Sequence, residues 1–195
     1  MTTEEAIRLA KRVADVAGCS RADAERYIAG GWVSVDGAVA EDPATRVTPE
    51  QKVELLPGAT PVEPDPVTIL MHKPAGIEVE AALATISADT QVLEHGRGKP
   101  FLRRHLFKTT AATPLETMAS GLIVFSQDFR VIRKLVDDAS RNESEYVVEV
   151  DGQIERLCGD VGLRVTALRR LRIGRISMGP MPAGGWRFLR DTDQF

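Results

Sequence analysis

The chain reads as an α+β protein in two domains, a small α/β one followed by a larger mixed-sheet one. Three observations predict this. Residues 56–66, LPGATPVEPDP, hold four prolines in eleven positions, a density that neither a helix nor an inner strand tolerates. Upstream, apolar residues at helical spacing come first and strand patterns follow. Downstream, strand-like runs dominate, most of all toward the end. The expected boundaries are 1–56 for the first domain, 57–66 for a linker and 67–195 for the second.

In the first domain Ile7, Leu9, Ala10, Val13, Val16 and Ala17 recur at helical spacing, which predicts a helix over 4–17. Gly18 stops it. Ser20 is placed to cap a second helix, with Asp23 and Glu25 early in it and Gly30-Gly31 after its end at about Ala29. Trp32–Val35, Asp36-Gly37 and Ala38-Val39 form a strand, a tight turn and a return strand. Thr45–Leu56 adds a further strand or two.

The second domain opens on a strand, Val67–His72, closed by Lys73-Pro74-Ala75-Gly76. Gly121–Ser126 (GLIVFS) is a continuous apolar run of the kind found in a strand buried on both faces. Phe129–Asp138 has helical periodicity. Glu145–Val150 alternates as a strand. A helix over Ile154–Val161, a strand over Val165–Leu171 and a further alternating run, Arg172–Met178, lead to Trp186–Leu189. No repeat of 20–50 residues is present.

With 43% apolar residues in 195, the chain can build a core and is not a disordered polymer. No apolar run approaches the ~20 residues of a membrane span, and the start, Met1-Thr-Thr-Glu-Glu, is no secretory signal. The expectation is a cytoplasmic protein without membrane partners. Two cysteines, Cys19 and Cys158, make no disulfide framework, and with His72, His95 and His105 they match no ligand spacing, so no metal is expected. The Gly-Pro-Met-Pro-Ala-Gly-Gly run at 179–185 lacks the ending of a phosphate loop and reads as a turn.

The net charge of −3 argues against a simple basic nucleic-acid binder, but the charge is segregated. Residues 1–57 hold seven Lys/Arg against ten Asp/Glu. Residues 97–108 hold five Lys/Arg and no acid, and residues 154–190 hold eight Arg against two acids. Arginine suits phosphate because its planar fork donates two hydrogen bonds at once. A solvated, ion-paired surface is the alternative reading of these residues.

Residues 8–37, RLAKRVADVAGCSRADAERYIAGGWVSVDG, resemble a small RNA-binding domain named after a primary-binding ribosomal protein, the S-four domain. A helix start at Ser20-Arg21 offers free N–H groups to phosphate, with Arg21 and Arg26 beside it and Arg8, Lys11 and Arg12 on the preceding helix. Further motifs follow in order: HKPAG (72–76), LETMASGLIVFSQD (115–128), SEYVVEV (144–150) and the closing segment 153–189. Together they resemble the bacterial ribosomal RNA pseudouridine synthases with an N-terminal S-four domain, nearest the dual-specificity branch acting on large-subunit rRNA and a tRNA. The resemblance implies structured RNA (rRNA or tRNA) as partner and no cofactor, and leaves protein partners unknown. Expected RNA contacts are Arg8, Lys11, Ser20, Arg21, Arg26, Lys73, Arg103, Arg104 and Arg156.

Such enzymes flip a uridine into a pocket, where an aspartate drives breakage and re-formation of the base–sugar bond beside a tyrosine and an arginine. Matched position by position, Glu116 stands where the family has the aspartate, and Tyr146 is its tyrosine. Pro114 replaces a neighbouring arginine, and Glu155 replaces the arginine that pairs with the carboxylate. Glutamate moves the carboxylate by a methylene, and a displacement of ~1 Å can cost on the order of 100-fold. Several tens of residues after Val150 are expected to be missing. These departures favour an RNA-binding protein without isomerase activity. The first alternative is an active synthase using Glu116. The second is a protein-interaction module built on the acidic first domain.

Overall fold

The structure, a computed structural model, describes residues 6–63, 65–93, 99–137, 143–151 and 164–195. The chain divides into two compact units, Met1–Asp65 with Leu102–Arg104, and Pro66–Phe101 with His105–Phe195.

The first unit begins with a two-residue strand, β1 (Ile7–Arg8), and runs on directly into α1 (Leu9–Ala17). The helix therefore starts later than its apolar spacing suggests. Its first amides are tied elsewhere: Leu9 N–H donates to the Thr45 carbonyl at 2.7 Å and Ala10 N–H to that of Pro43 at 3.2 Å. Gly18, at φ +61, closes α1 in a left-handed cap. α2 (Arg21–Ala29) follows, then β2 (Val33–Val35), β3 (Ala38–Val39), β4 (Arg46–Val47) and β5 (Val53–Leu55). β3, β2 and β5 form one antiparallel sheet, and β1 pairs with β4. The Asp36-Gly37 turn has positive φ at both residues, as a tight hairpin of this hand requires. Leu9, Ala10 and Val13 of α1 pack on Ala24 and Ile28 of α2 and on Val33 and Val47.

The second unit is a seven-stranded sheet. Its strands are β6 (Thr68–Lys73), β7 (Thr110–Ala111), β8 (Ser120–Ser126), β9 (Ser144–Asp151), β10 (Arg164–Ile173), β11 (Ile176–Ser177) and β12 (Trp186–Phe188). The spine runs β11-β10-β8-β6-β12, with β7 on β8 and β9 on β10. β10 runs parallel to β8, and the other pairs are antiparallel. Alternation along β6 and β8 builds two cores. Leu70, Leu122 and Val124 face one, with Leu135, Ile173 and Ile176. Ile69, Met71, Ile123 and Phe125 face the other, with Trp186. This two-sided burial is why GLIVFS carries no polar alternation.

Among the described residues two helices border the sheet, α3 (Val79–Ala84) and α4 (Phe129–Val136). α4 lies where the periodicity puts it. α3, of six residues, is too short to leave a periodic signature. The expected helix over 154–161, with Glu155 and Arg156, lies outside the described residues. No described helix is long and apolar enough to cross a membrane.

Candidate functional site

In the first unit, β1, β4, α1 and the start of α2 surround a pocket of about 290 Å³ lined by Ala6, Ile7, Arg8, Lys11, Arg21 and Arg46. Three of the expected contacts, Arg8, Lys11 and Arg21, thus meet at one place. Arg46 joins them, and the sequence reading missed it. Its position depends on the β1–β4 pairing, which sets Arg8 opposite Arg46, and its Nη1 holds the Ala6 carbonyl at 2.9 Å. Among the described residues no acid lines the pocket. The ion pair from Arg21 to Glu25, at 3.1 Å, is exposed on both sides and holds the guanidinium weakly.

Ser20 and Arg26 do not line this pocket. The Ser20 hydroxyl accepts from Asp23 N–H at 3.1 Å and donates to Asp23 Oδ2 at 2.7 Å, capping α2. Arg26 reaches the other Asp23 oxygen at 2.8 Å. The Ser20 hydroxyl, with Arg26 behind it, holds the Asp23 carboxyl below the usual carboxylate range. Arg103 is exposed, and its N–H donates to Glu41 Oε2 at 2.6 Å. Arg104 is half-buried, with Nη1 3.4 Å from the Ala29 carbonyl.

In the second unit, Pro114, Leu115, Glu116, Ala119, Tyr146 and Leu168 line a cleft of about 270 Å³. A second cleft of about 270 Å³ shares Pro114, Leu115 and Glu116 and adds Glu78, Val79, Glu80 and Thr117. Glu116 is exposed at this junction, and Tyr146 is 41% exposed. The expected carboxylate and tyrosine therefore share one cleft.

Two buried cations hold the loop that presents Glu116. Lys73, expected among the RNA contacts, is instead fully buried. Its Nζ donates to the carbonyls of Pro74 at 3.0 Å, Thr117 at 3.0 Å and Ala119 at 2.8 Å. A charged head so enclosed cannot reach a ligand, and burial holds its pKa below the ordinary lysine value. At the loop's other end Arg170 is 5% exposed. It donates from Nη2 to the Thr113 carbonyl, from Nε to the Leu122 carbonyl at 2.7 Å and from Nη1 to the Tyr146 hydroxyl at 3.4 Å. Burial lowers its pKa as well.

Arg170 is the other residue that sequence reasoning missed. Its only signal was an arginine falling among the apolar positions of a strand. Register places it opposite both Gly121 and Tyr146. Gly121 has φ +110, and a Cβ there would stand 2.1 Å from the Arg170 carbonyl oxygen, so this close approach admits glycine alone. Among the described residues no group of three His, Cys, Asp or Glu is placed to hold a metal.

Residues 7–53 match the S4 domain family, which makes the first unit an S4 domain. Over 241 aligned positions the chain is 24% identical to the dual-specificity RNA pseudouridine synthase RluF of Escherichia coli, covering 99% of this chain and 79% of that protein. It is 28% identical over 161 residues to an uncharacterized RNA pseudouridine synthase of Mycobacterium tuberculosis, covering 78% of this chain and 59% of that one. A crystal structure of a pseudouridylate synthase superimposes with a TM-score of 0.48 and 15% identity, over 94% of this chain and 96% of that one. Over nearly its whole length the chain is thus similar to RNA pseudouridine synthases, with the S4 match at its start. The alignment to the E. coli protein is longer than the 195 residues of this chain, so at least 46 of its positions, the difference, have no counterpart here.

Proposed function

We propose that this chain is an RNA-binding protein, with rRNA or tRNA as its partner, that no longer isomerises uridine. The proposal takes 1–56 as the RNA-binding domain, 57–66 as linker and 67–195 as the synthase-like domain. RNA of this kind puts its work in the cytoplasm. The observation that carries RNA binding is the first pocket: Arg8, Lys11, Arg21 and Arg46 converge, with no acid lining it among the described residues. Four cations left so close repel one another until an anion enters, and a phosphate supplies it.

The loss of turnover rests on the second unit. Glu116 stands in the aspartate's place on a loop with Pro114. The buried guanidinium nearby, Arg170, already has its donors on two carbonyls and a tyrosine. Glu78 and Glu80 add negative charge beside Glu116, which disfavours a phosphate backbone at the cleft mouth. One observation favours the second reading, an active synthase: Glu116 and Tyr146 line the same cleft.

A single preparation tests both parts. Affinity for a structured rRNA fragment is expected to fall steeply with salt, as phosphate contacts release counterions. The same RNA, labelled at uridine C5, is expected to release no label. Label release that Glu116→Gln abolishes would establish the active enzyme. Absence of RNA binding at low salt would end the RNA reading altogether.

A further inference from the structure

The second unit has a surface that neither cleft uses. β7 and β8 pair with Thr110 opposite Ser126 and Ala111 opposite Phe125. The two segments stay together past that pair, because Gln127 Nε2 donates to the Phe107 carbonyl at 2.7 Å. That bond sets Phe107 near the turn into α4, whose first residue is Phe129. Both positions are phenylalanine and both face solvent, Phe107 68% exposed and Phe129 71%. The chain has six phenylalanines. The other four, Phe101, Phe125, Phe188 and Phe195, lie in or against the two cores. The only two left in water thus occur together.

Cations flank both rings. Lys108 Nζ lies 5.3 Å from the Phe107 ring centre. Its backbone sits at φ +53, an uncommon conformation for a side chain of this size. Arg130 follows Phe129 and is exposed, with no ion pair among the described residues. Arg133 lies one turn along α4 and meets Asp137 only at 3.4 Å, with both side chains well exposed. The nearby acid, Asp128, is taken up in capping α4, where Oδ1 accepts from Arg130 N–H at 2.8 Å. A site for an apolar protein surface would join its rings in one patch with few charges at the centre. Here cations alternate with aromatic faces, which is the pattern that binds single-stranded nucleic acid: bases stack on the rings and phosphates meet the cations.

We infer that Phe107 and Phe129 form a stacking platform for unpaired bases of bound RNA, with Lys108, Arg130 and Arg133 taking its phosphates. Every base has a planar face, so the platform holds single strands without reading their sequence. This inference rests on the RNA-binding reading above, and the test separates the two.

The probes are a blunt RNA hairpin and the same hairpin with a single-stranded oligouridine tail, each titrated with the full chain. The tail is expected to strengthen wild-type binding. The double variant Phe107→Ala/Phe129→Ala is expected to lose that gain, roughly tenfold for each base that no longer stacks, while keeping its affinity for the blunt hairpin. Both rings are exposed, so the fold should survive, and circular dichroism checks it. Phe→Tyr at both positions should keep the gain. Phe→Leu, apolar but unable to stack, should lose it. A tail gain that persists in the double alanine variant or in the leucine pair overturns the platform and leaves these rings to a protein partner. A wild type that binds the hairpin but ignores the tail also overturns it, while the first pocket's reading stands. A wild type that binds neither probe brings down both.

Discussion

The pocket in the first unit is lined by Arg8, Lys11, Arg21 and Arg46, all exposed, with no acid among the described residues that line it. The clefts in the second unit present Glu78, Glu80 and Glu116, while the two cations behind them, Lys73 and Arg170, are buried. The two regions differ less in how many cations they own than in where those cations sit. An exposed guanidinium keeps its donors for a ligand. A buried one must satisfy them internally, because an unpaired buried charge is too costly to keep. Lys73 and Arg170 therefore serve as internal fasteners of the Glu116 loop. A net charge of −3 is compatible with an anion-binding face for the same reason: the average says nothing about which cations reach water.

The sharpest way to break the comparison is to destroy one region and leave the other. Gly121→Ala drives a Cβ to 2.1 Å from the Arg170 carbonyl oxygen, at a backbone φ that disfavours any side chain. Backbone cannot yield as a flexible side chain can, so β8 and β10 must part. The expected loss is about 4 kcal/mol, at the severe end for a single substitution, read by urea denaturation. Hydrogen exchange should rise through 120–126 and 167–172. Salt-dependent RNA affinity of whatever fraction remains folded should persist. If affinity vanishes with the second unit's amides, the division of labour between the regions is wrong.

Next in size is Lys73→Met. The carbonyls of Thr117 and Ala119 lose their buried donor, although Gly76 N–H still serves Thr117 at 2.8 Å. A loss of about 2–3 kcal/mol is expected, from unmet buried polar groups. The pH dependence sharpens the test. Burial lowers the pKa of Lys73 in the folded state from 10.5, so at alkaline pH the unfolded chain binds more protons at this residue. Stability contributed by this residue then rises with pH between the lowered folded value and 10.5, and is flat outside that window. The stability difference between wild type and Lys73→Met should widen in favour of the wild type across it. A difference that shrinks there would show that the three carbonyls outweigh burial.

Lys73 also marks the limit of what the sequence discloses. In HKPAG it looks like any basic residue after a strand. Its burial is decided by carbonyls at 117 and 119, more than forty positions away, and backbone acceptors leave no trace in residue identity. Arg46 is similar: two residues of strand are too few for a periodic pattern, and its place in the pocket follows only from pairing with β1. By contrast β8 and α4 were legible, because the unbroken apolar run Leu122–Phe125 and an amphipathic turn pattern each admit few environments. Glu116 and Tyr146 were singled out only by resemblance to a family. The structure puts them in one cleft and adds the buried Arg170 behind Tyr146, which local pattern could not place.

The first pocket is next. Arg8→Glu with Arg46→Glu reverses two of its four cations, on residues exposed enough to leave the fold intact. RNA affinity is expected to fall on the order of 100-fold at low salt. The slope of log affinity against log salt should shrink by about 2, one for each phosphate no longer neutralised. The same reversal at Arg103, outside the pocket, should do much less. Equal losses at both places would mean that RNA contacts are spread over the surface and that the pocket has no special standing.

The smallest effect separates two roles for Ser20, helix cap and RNA contact. Its hydroxyl is engaged with Asp23 N–H and Oδ2, and it does not line the pocket. Ser20→Ala should therefore cost α2 about 1 kcal/mol, the ordinary worth of an N-cap, with RNA affinity held. The hydroxyl is also the first reason that the Asp23 carboxyl lies below its ordinary 3.8. A carboxyl depressed by folding adds stability that is fully present above that value and is lost as pH falls through the lowered one. The stability gap between wild type and Ser20→Ala should consequently close on acidification. It should stay constant from neutral pH down to about pH 5, where the carboxyl is ionised in both states. An affinity that drops while the helix keeps its stability would place the hydroxyl on the RNA, and would extend the first site from the β1–β4 pocket onto the start of α2.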